Sequence, residues 1–322
     1  MYSLREKVYQ MFILGSSGEG LNKALPLGLG GVIFFTQDIK SEKQIKKFTD
    51  ECKNIALIPP FLSIDQEGGR VERTENIHNG KKYLSAKFAY EQGVLEKQTL
   101  EIAKELLLYG INLNFAPCID VNTNPQNPII GERAFSNKTS EVIEAEKVVS
   151  KVYAENGIIP CVKHFPGHGD ANVDSHLGLP CIDISMDEME KLHIAPFKSA
   201  IENGVDMVMV AHLHCTCFDK EVVPTSLSNN AIFYLRNVLG FGGVVISDDM
   251  VMKGVTELYS PLEACVKGIK AGLNMFIYRN SSVEIIDVIE KIAVLAQSDS
   301  ELREKIEDSF ERIIRLKKKF FA

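Results

Sequence analysis

The sequence lacks the excess of positive charge that nucleic-acid-binding proteins usually carry. Its 322 residues include 36 lysines and arginines against 43 aspartates and glutamates, which gives a formal net charge of −7. Proteins that bind nucleic acid usually present a basic patch or stripe to the phosphate backbone. The charge balance therefore argues against a nucleic-acid partner.

Signals for export, membrane insertion and disulfide formation are also missing. The N-terminal residues carry charges of both signs and precede only a short apolar stretch, unlike a signal peptide. No run approaches the roughly 18 apolar residues of a membrane span. The 7 cysteines are odd in number and irregularly spaced, so they do not make a disulfide framework. We expect a cytoplasmic protein with reduced thiols and no membrane partner.

Several common catalytic motifs are absent as well. The sequence contains no Walker P-loop, no G-x-S-x-G elbow and no H-E-x-x-H segment. The glycine-rich segment 28–31 does not complete the dinucleotide-binding fingerprint, and it precedes a predicted strand where the fingerprint would follow one. No cofactor is therefore predicted.

What the sequence does contain is a regular alternation of short apolar runs with longer segments of helical period. Segments of helical period separate eight apolar runs, which predicts parallel strands in βα units. Two further helices are predicted from about residue 282 to the end, the second of them amphipathic. The eight predicted strands are 11–14, 31–35, 61–64, 111–116, 158–162, 207–210, 244–246 and 275–278.

A closed barrel and a doubly wound open sheet would both show this alternation. Charged or histidine-containing clusters follow almost every predicted strand, for example at Asp65, Asp120, Lys163, His212 and Asp248. A barrel collects its active-site residues from the C-terminal ends of many strands, whereas an open sheet concentrates them near one switch point. We therefore predict one α/β domain over residues 1–322, a single (β/α)₈ barrel of the TIM type.

The densest polar cluster, residues 163–176 (KHFPGHGDANVDSH), directly follows the fifth predicted strand. So many titratable groups in one loop at the catalytic face favour a functional role over a merely solvated turn. Asp174 and His176 are two residues apart, so on an extended chain they point the same way. The carboxylate can then bond one ring nitrogen and leave the other free to exchange protons.

The same histidines leave a metal site open as an alternative. His164, His168 and His176, with Asp170 or Asp174, are possible zinc ligands. The intervening Phe-Pro-Gly forbids the helix that would place the first two on one face, which weakens this interpretation. A second group of possible ligands consists of His212, His214, Cys215 and Cys217. On extended chain these side chains would form a flat array that suits a tetrahedral metal site poorly, so we interpret them as packed thiols and a polar strand end.

Two further clusters bring carboxylates to strand ends. The segment 244–250 (VVISDDM) delivers adjacent Asp248 and Asp249, which face opposite ways on extended chain. One can enter the barrel mouth while the other braces the loop, although a helix N-cap role would explain either one alone. The segment 63–71 (SIDQEGGRV) combines Asp65 with a glycine turn and Arg70, and such carboxylates can accept hydrogen bonds from sugar hydroxyls.

Taken together, these segments resemble the bacterial β-N-acetylglucosaminidases of glycoside hydrolase family 3. The resemblance covers most of the chain, and the histidine-containing segment is its most specific part. The matching segments, in order, are 30–36 (GGVIFFT), 65–71 (DQEGGRV), 114–117 (NFAP) with 120–122 (DVN), 130–136 (IGERAFS), 163–176 and 247–250 (SDDM).

The resemblance implies a retaining exo-β-N-acetylglucosaminidase that acts without metal and consists of a single barrel. It assigns Asp248 as the nucleophile, and His176, oriented by Asp174, as the general acid/base in place of the usual carboxylic acid. It implies that the residues holding the terminal N-acetylglucosamine are Asp65, Arg133, Lys163, His164 and, as a weaker candidate, Arg70. The implied substrates are cell-wall fragments, in peptidoglycan recycling, while chitin-derived oligosaccharides and glycoconjugates would use the same sugar site.

The chain departs from the family pattern in places, and other functions stay open. Asn274 stands where relatives more often carry Asp, and Ala171-Asn172 where they more often carry Thr and a small or polar residue. A neutral imidazole as acid/base repels an anion less than a carboxylate does, so phosphate could replace water as acceptor and make the protein a phosphorylase. A metal-dependent barrel resembling the amidohydrolases and a catalytically inactive sugar-binding barrel are the remaining alternatives.

Overall fold

The computed structural model describes residues 2–171 and 178–321. Two predicted catalytic residues, Asp174 and His176, therefore lie outside the described residues, as does Asn172. Every other site residue named above lies within them.

Eight parallel strands close into a barrel, which confirms the predicted α/β fold. Each strand pairs with its neighbours along the chain, and the first strand closes the barrel by pairing with the last, Phe12 lying opposite Phe276. All eight predicted runs form these strands. The barrel strands are Phe12–Gly15, Gly31–Phe34, Phe61–Ile64, Leu113–Asn114, Ile159–Phe165, Met207–Val210, Val244–Asp249 and Met275–Tyr278.

Helices surround the barrel and follow the predicted period. Several end at the glycines expected there; Gly272, for example, adopts a left-handed conformation (φ 110°) that a side chain would disfavour. The α-helices are Leu4–Gln10, Leu21–Ala24, Glu42–Ile55, Ala86–Glu91, Leu95–Leu108, Thr139–Glu155, Met186–Glu188, Ala195–Glu202, Asn229–Phe233, Lys253–Thr256, Pro261–Ala271, Val283–Leu295 and Ser300–Phe321. Shorter 3₁₀ segments are Leu25–Leu27, Thr36–Asp38, Gly131–Arg133 and Thr225–Leu227, and π segments are Met189–Ile194 and Tyr234–Val238. No helix of the described chain is long and apolar enough to cross a membrane.

The strand bounds differ from the prediction where polar residues are involved. The fifth and seventh barrel strands extend three residues beyond their apolar runs, so Lys163, His164, Asp248 and Asp249 belong to the strands themselves. The sequence did not predict a small two-stranded sheet of Cys181–Ile182 and His214–Cys215 beside the barrel.

The last helix, Ser300–Phe321, closes the end of the barrel at which the strands begin. The ring of Phe321 meets Phe61 edge to face at 5.7 Å. Buried Lys317 donates hydrogen bonds to the side chain of Gln10 (2.8 Å) and to the carbonyl of Gly30 (2.9 Å). The opposite end, where the strands finish, is left open for a site.

Candidate active site

A pocket of about 570 Å³ opens at the C-terminal ends of the barrel strands. Among the described residues, polar side chains in or after seven of the eight strands line it, together with apolar side chains such as Met209 and Ile277. The polar lining includes Asp65, Arg73, Arg133, Lys163, His164, His168, Asp248, Asp249 and Arg279. This convergence is the one expected of a barrel active site.

Lys163 lies buried at the centre of a charge network. Its Nζ is 2.7 Å from Oδ1 of Asp65 and 2.6 Å from Oε1 of Glu67. Burial opposes the positive charge, but the two carboxylates more than offset this and raise the pKa of Lys163. The ammonium is therefore a fixed cation in the wall of the pocket.

Glu67 joins this lysine to Arg133. The Arg133 guanidinium donates two parallel hydrogen bonds to the Glu67 carboxylate, Nε to Oε2 and Nη2 to Oε1, each 2.8 Å long. Burial opposes ionisation of Glu67, but Arg133 and Lys163 reverse the effect and hold its pKa well below the ordinary value. Such paired, planar contacts fix the orientation of the arginine as well as its charge.

Asp120 is buried behind the pocket lining and orients His164, which belongs to that lining. Asp120 Oδ2 lies 2.7 Å from His164 Nδ1, and Asp120 Oδ1 accepts a hydrogen bond from the amide of His168 at 2.6 Å. Burial opposes the charge on Asp120, but His164 outweighs it and the pKa of the carboxyl is lowered. Because an ionised carboxylate only accepts, Nδ1 carries the proton and leaves Nε2 of His164 directed toward Arg133, 3.4 Å away.

The two adjacent aspartates have different surroundings. Asp249 pairs with Arg279 and also accepts a hydrogen bond from the amide of Val251, so it braces the loop that follows the strand. Asp248 makes no ion pair within the described ranges, and its Oδ1 accepts a 2.7 Å hydrogen bond from the amide of Asp249.

Their ionisation differs too. Burial opposes the charge on Asp248, but His164, together with smaller contributions such as the hydrogen bond from the amide of Asp249, outweighs it, so the pKa of Asp248 is lowered. Burial raises the pKa of Asp249, and Arg279 offsets only part of that effect. Asp248 is therefore an ionised carboxylate that faces the pocket and has no direct cationic partner among residues 2–171 and 178–321.

Of two arginines in one loop, the structure brings Arg73, and not Arg70, to the pocket. Gly68 and Val71 bridge across a tight turn, so Arg70 at its tip points outward and donates to the carbonyl of Pro128 at 3.0 Å. Arg73 follows the turn back into the pocket, 4.0 Å from Asp65. No pattern in the sequence distinguishes the two arginines, because which of them enters the pocket depends on the conformation of the turn.

Of the histidines singled out as possible metal ligands, His164 and His168 lie next to each other, with their rings edge to face and the ring centroids 6.0 Å apart, while His176 lies outside the described residues. His168 lines the pocket, and among the described residues neither of its ring nitrogens has a hydrogen-bond partner. Burial lowers its pKa to about 4. Asp170 instead accepts a hydrogen bond from Thr123. In residues 2–171 and 178–321, donor atoms that could share a metal ion come together in Cys118, Asp120 and His164, within 4.8 Å of one another.

His212 belongs to the catalytic end of the barrel and not to a cysteine cluster. Its Nδ1 lies 2.7 Å from Oγ of Ser226, and Nε2 has no partner in the described part of the chain. The pairing of Val210 with Ser247 places His212 beside Asp248 and Asp249 on the adjacent strand. Burial lowers the pKa of His212, so the ring is neutral at neutral pH.

Asn274 lies at the start of the last barrel strand, away from the pocket. Its side-chain oxygen accepts hydrogen bonds from the Arg236 guanidinium and from the amide of Val245 (2.9 Å), and its nitrogen donates to Ser309 (3.0 Å). The departure from the family pattern at this position therefore alters a local structural network.

The fold and the pocket define a (β/α)₈ barrel with a buried, charge-lined active site. The sequence profile of the Glycosyl hydrolase family 3 N terminal domain matches residues 3–316. A protein of Vibrio cholerae named Beta-hexosaminidase is 30% identical over 90% of this chain and 87% of its own length. The chain therefore belongs to glycosyl hydrolase family 3, which confirms the resemblance seen in the sequence.

Other relatives are longer than this chain. Beta-hexosaminidase A of Pseudoalteromonas piscicida is 31% identical over 90% of this chain, but the match spans only 53% of its own length. The solved structure of a glycoside hydrolase family 3 beta-N-acetylglucosaminidase from Paenibacillus superposes with a TM-score of 0.91 and 32% identity, over 100% of this chain and 63% of that one. The chain thus spans between half and two thirds of these two relatives.

Proposed function

We propose that the chain is a retaining exo-β-N-acetylglucosaminidase that releases terminal N-acetylglucosamine through a covalent glycosyl intermediate on Asp248. One observation carries this proposal. Of the described residues, three aspartates line the pocket; Asp65 and Asp249 are each held by cations, while Asp248 is ionised and makes no ion pair with a described residue. A nucleophile needs a carboxylate whose charge is available to the anomeric carbon.

The opposite wall of the pocket suits the glycone. Asp65 can accept hydrogen bonds from two sugar hydroxyls, while Lys163, Arg133 and the Nε2 side of His164 supply donors and an acceptor in fixed positions. We add Arg73 to this set and remove Arg70, which lies outside the pocket lining. The relatives named beta-hexosaminidases support N-acetylhexosamine as the sugar.

In the proposed mechanism Asp248 attacks the anomeric carbon as the bond to the leaving oxygen breaks. His176, oriented by Asp174, donates a proton to that oxygen and then accepts one from the water that releases the sugar with retained configuration. These two roles rest on the sequence, because both residues lie outside the described ranges. We further propose a cytoplasmic enzyme that acts on cell-wall muropeptide fragments.

The decisive experiment compares an aryl β-N-acetylglucosaminide with the aryl β-glucoside and locates the covalent intermediate. We expect turnover of the first substrate only, and Asp248→Asn to reduce kcat at least about 1,000-fold. Asp249→Asn is the matched control, since it alters the neighbouring carboxylate that Arg279 holds. A 5-fluoro sugar label should map to Asp248; a label on another residue would overturn the nucleophile assignment.

The acceptor is tested separately by product analysis with and without inorganic phosphate. Free N-acetylglucosamine in both conditions supports hydrolysis, whereas N-acetylglucosamine 1-phosphate would make the enzyme a phosphorylase with the same nucleophile. Activity that is lost on treatment with a chelator and restored by zinc would instead support the metal-dependent alternative.

A further inference from the structure

A second cavity, of about 330 Å³, lies outside the barrel near the start of the last two strands. Asn274, in its wall, lies level with Val245, three residues before Asp248 on the neighbouring strand. That spacing is about 10 Å along the strand. Within the described ranges, the lining has four cationic side chains and one carboxylate: Arg236, Lys270, Lys305, Arg312 and Asp308.

Arg236 makes no ion pair within the described part of the chain. Every oxygen to which it donates is uncharged: the carbonyls of Phe241 (2.9 Å) and Gly243 (2.6 Å), and the side-chain amide of Asn274. Burial and the nearby Arg312 lower the pKa of Arg236 to about 9. The guanidinium therefore remains protonated at neutral pH, in a place where its charge is costly.

The other cations divide into paired and unpaired ones. Arg312 Nε lies 2.8 Å from Asp308, and Lys270 contacts Asp299 and Glu301. Across residues 2–171 and 178–321, neither Arg236 nor Lys305 forms an ion pair with a carboxylate. The cavity thus holds a net positive charge that the described chain does not neutralise.

We propose that this cavity binds an oxyanion of the phosphate class between Arg236, Lys305 and Arg312. Guanidinium groups match the oxygens of phosphate in geometry as well as in charge, and a partly buried site strengthens the attraction. The volume leaves room for a phosphate monoester as well as for inorganic phosphate. The site is separate from the catalytic pocket, so it stands whether or not the proposed function is correct.

Asn274 provides the sharpest test, because Asn274→Asp places a carboxylate where the amide now meets Arg236. Calorimetric titration of the full chain with inorganic phosphate, at ionic strength held constant with sodium chloride, should give saturable binding. We expect Asn274→Asp to weaken it at least about tenfold, because the new charge both neutralises Arg236 and repels the anion. Lys305→Gln should weaken it as well, and it leaves the buried network intact.

The control for the added charge is Asn79→Asp, which makes the same substitution at an exposed position distant in sequence from Asn274. This variant should bind phosphate with the affinity of the wild type. Glycerol phosphate serves as a second probe, and tighter binding than inorganic phosphate would assign the site to a phosphorylated metabolite. Asp248→Asn should keep full phosphate affinity, which separates this site from the catalytic pocket. Wild-type affinity in both Asn274→Asp and Lys305→Gln, or heats that do not saturate, would overturn the proposal.

Discussion

Replacing Glu67 by Gln tests whether one buried carboxylate organises the pocket. The carboxylate is shared by Lys163 and Arg133, and the substitution removes its charge with little change in shape. Lys163 keeps a second carboxylate, Asp65, at 2.7 Å. Arg133 has no other carboxylate partner among the described residues, so the variant leaves one buried cation uncompensated and not two.

The expected loss of stability follows from the single buried cation that is left uncompensated. Leaving one buried charge unpaired costs about 3–5 kcal/mol of folding free energy. For a domain of this size such a loss lowers Tm by roughly 4–7 °C. We expect this decrease in a thermal unfolding scan at neutral pH, together with a raised KM, because Arg133 is no longer fixed in the pocket wall.

The matched control is Glu72→Gln in the same loop. Glu72 is also buried, but its hydrogen-bond donors among the described residues are all neutral, such as the amides of Thr74 (3.2 Å) and Tyr83 (3.2 Å). Its loss should cost only about 1–2 kcal/mol. Equal destabilisation by the two substitutions, or a loss below about 1 kcal/mol in Glu67→Gln, would refute the charge argument.

The pH dependence of the free energy of unfolding gives an independent check that the charged form of Glu67 is the one that stabilises the fold. The folded-state pKa of Glu67 is lowered, so its contribution is fully present above its unfolded pKa of about 4.3 and is lost as pH falls through the folded value. The stability difference between wild type and Glu67→Gln should therefore be largest above about pH 5 and shrink below about pH 4. A difference that grows on acidification would contradict the assignment.

The remaining predictions concern two buried basic side chains. His212→Leu should lower kcat by about 10- to 100-fold with a smaller effect on KM, because His212 supports the strand end that carries Asp248. Ser226→Ala removes only the hydroxyl that lies 2.7 Å from His212, so it should have a weaker effect in the same assay. Lys317→Met should remove a pH dependence of the free energy of unfolding. Burial lowers the pKa of Lys317, so the wild type loses stability as pH falls from about 10.4, whereas the variant should not. If the free energies of unfolding of the two proteins change in parallel between about pH 10 and about pH 7, this prediction is wrong.

The barrel was predictable because its signal is periodic and repeated eight times. Each strand is buried on both faces and reads as an apolar run, and helices of regular period separate these runs. The two-residue strands Cys181–Ile182 and His214–Cys215 gave no such signal. The extension of the fifth barrel strand through His164 was also missed, since charged residues mark the end of an apolar run without ending the strand.

The site was only partly predictable, for a physical reason. The expectation that Asp65, Lys163, His164 and Asp248 converge needed only the direction of parallel strands, and the structure places all four around one pocket. Their pairings depend on distances between residues on different strands and loops, which no spacing along the chain encodes. The pairing of Glu67 with Arg133 and Lys163, and the orientation of His164 by Asp120, were therefore found only in the structure.

The choice between Asp248 and Asp249 shows how the two kinds of information combine. Alternation along the strand predicted that one aspartate faces the barrel mouth and that the other braces the loop, but it did not say which. In the structure Arg279 pairs with Asp249, while Asp248 is ionised and forms no ion pair with any described residue. A carboxylate held by an arginine is a poorer nucleophile than one held only by an amide, because attack on the sugar would have to break the ion pair. The physical distinction therefore agrees with the family resemblance, although it rests on charge and distance alone.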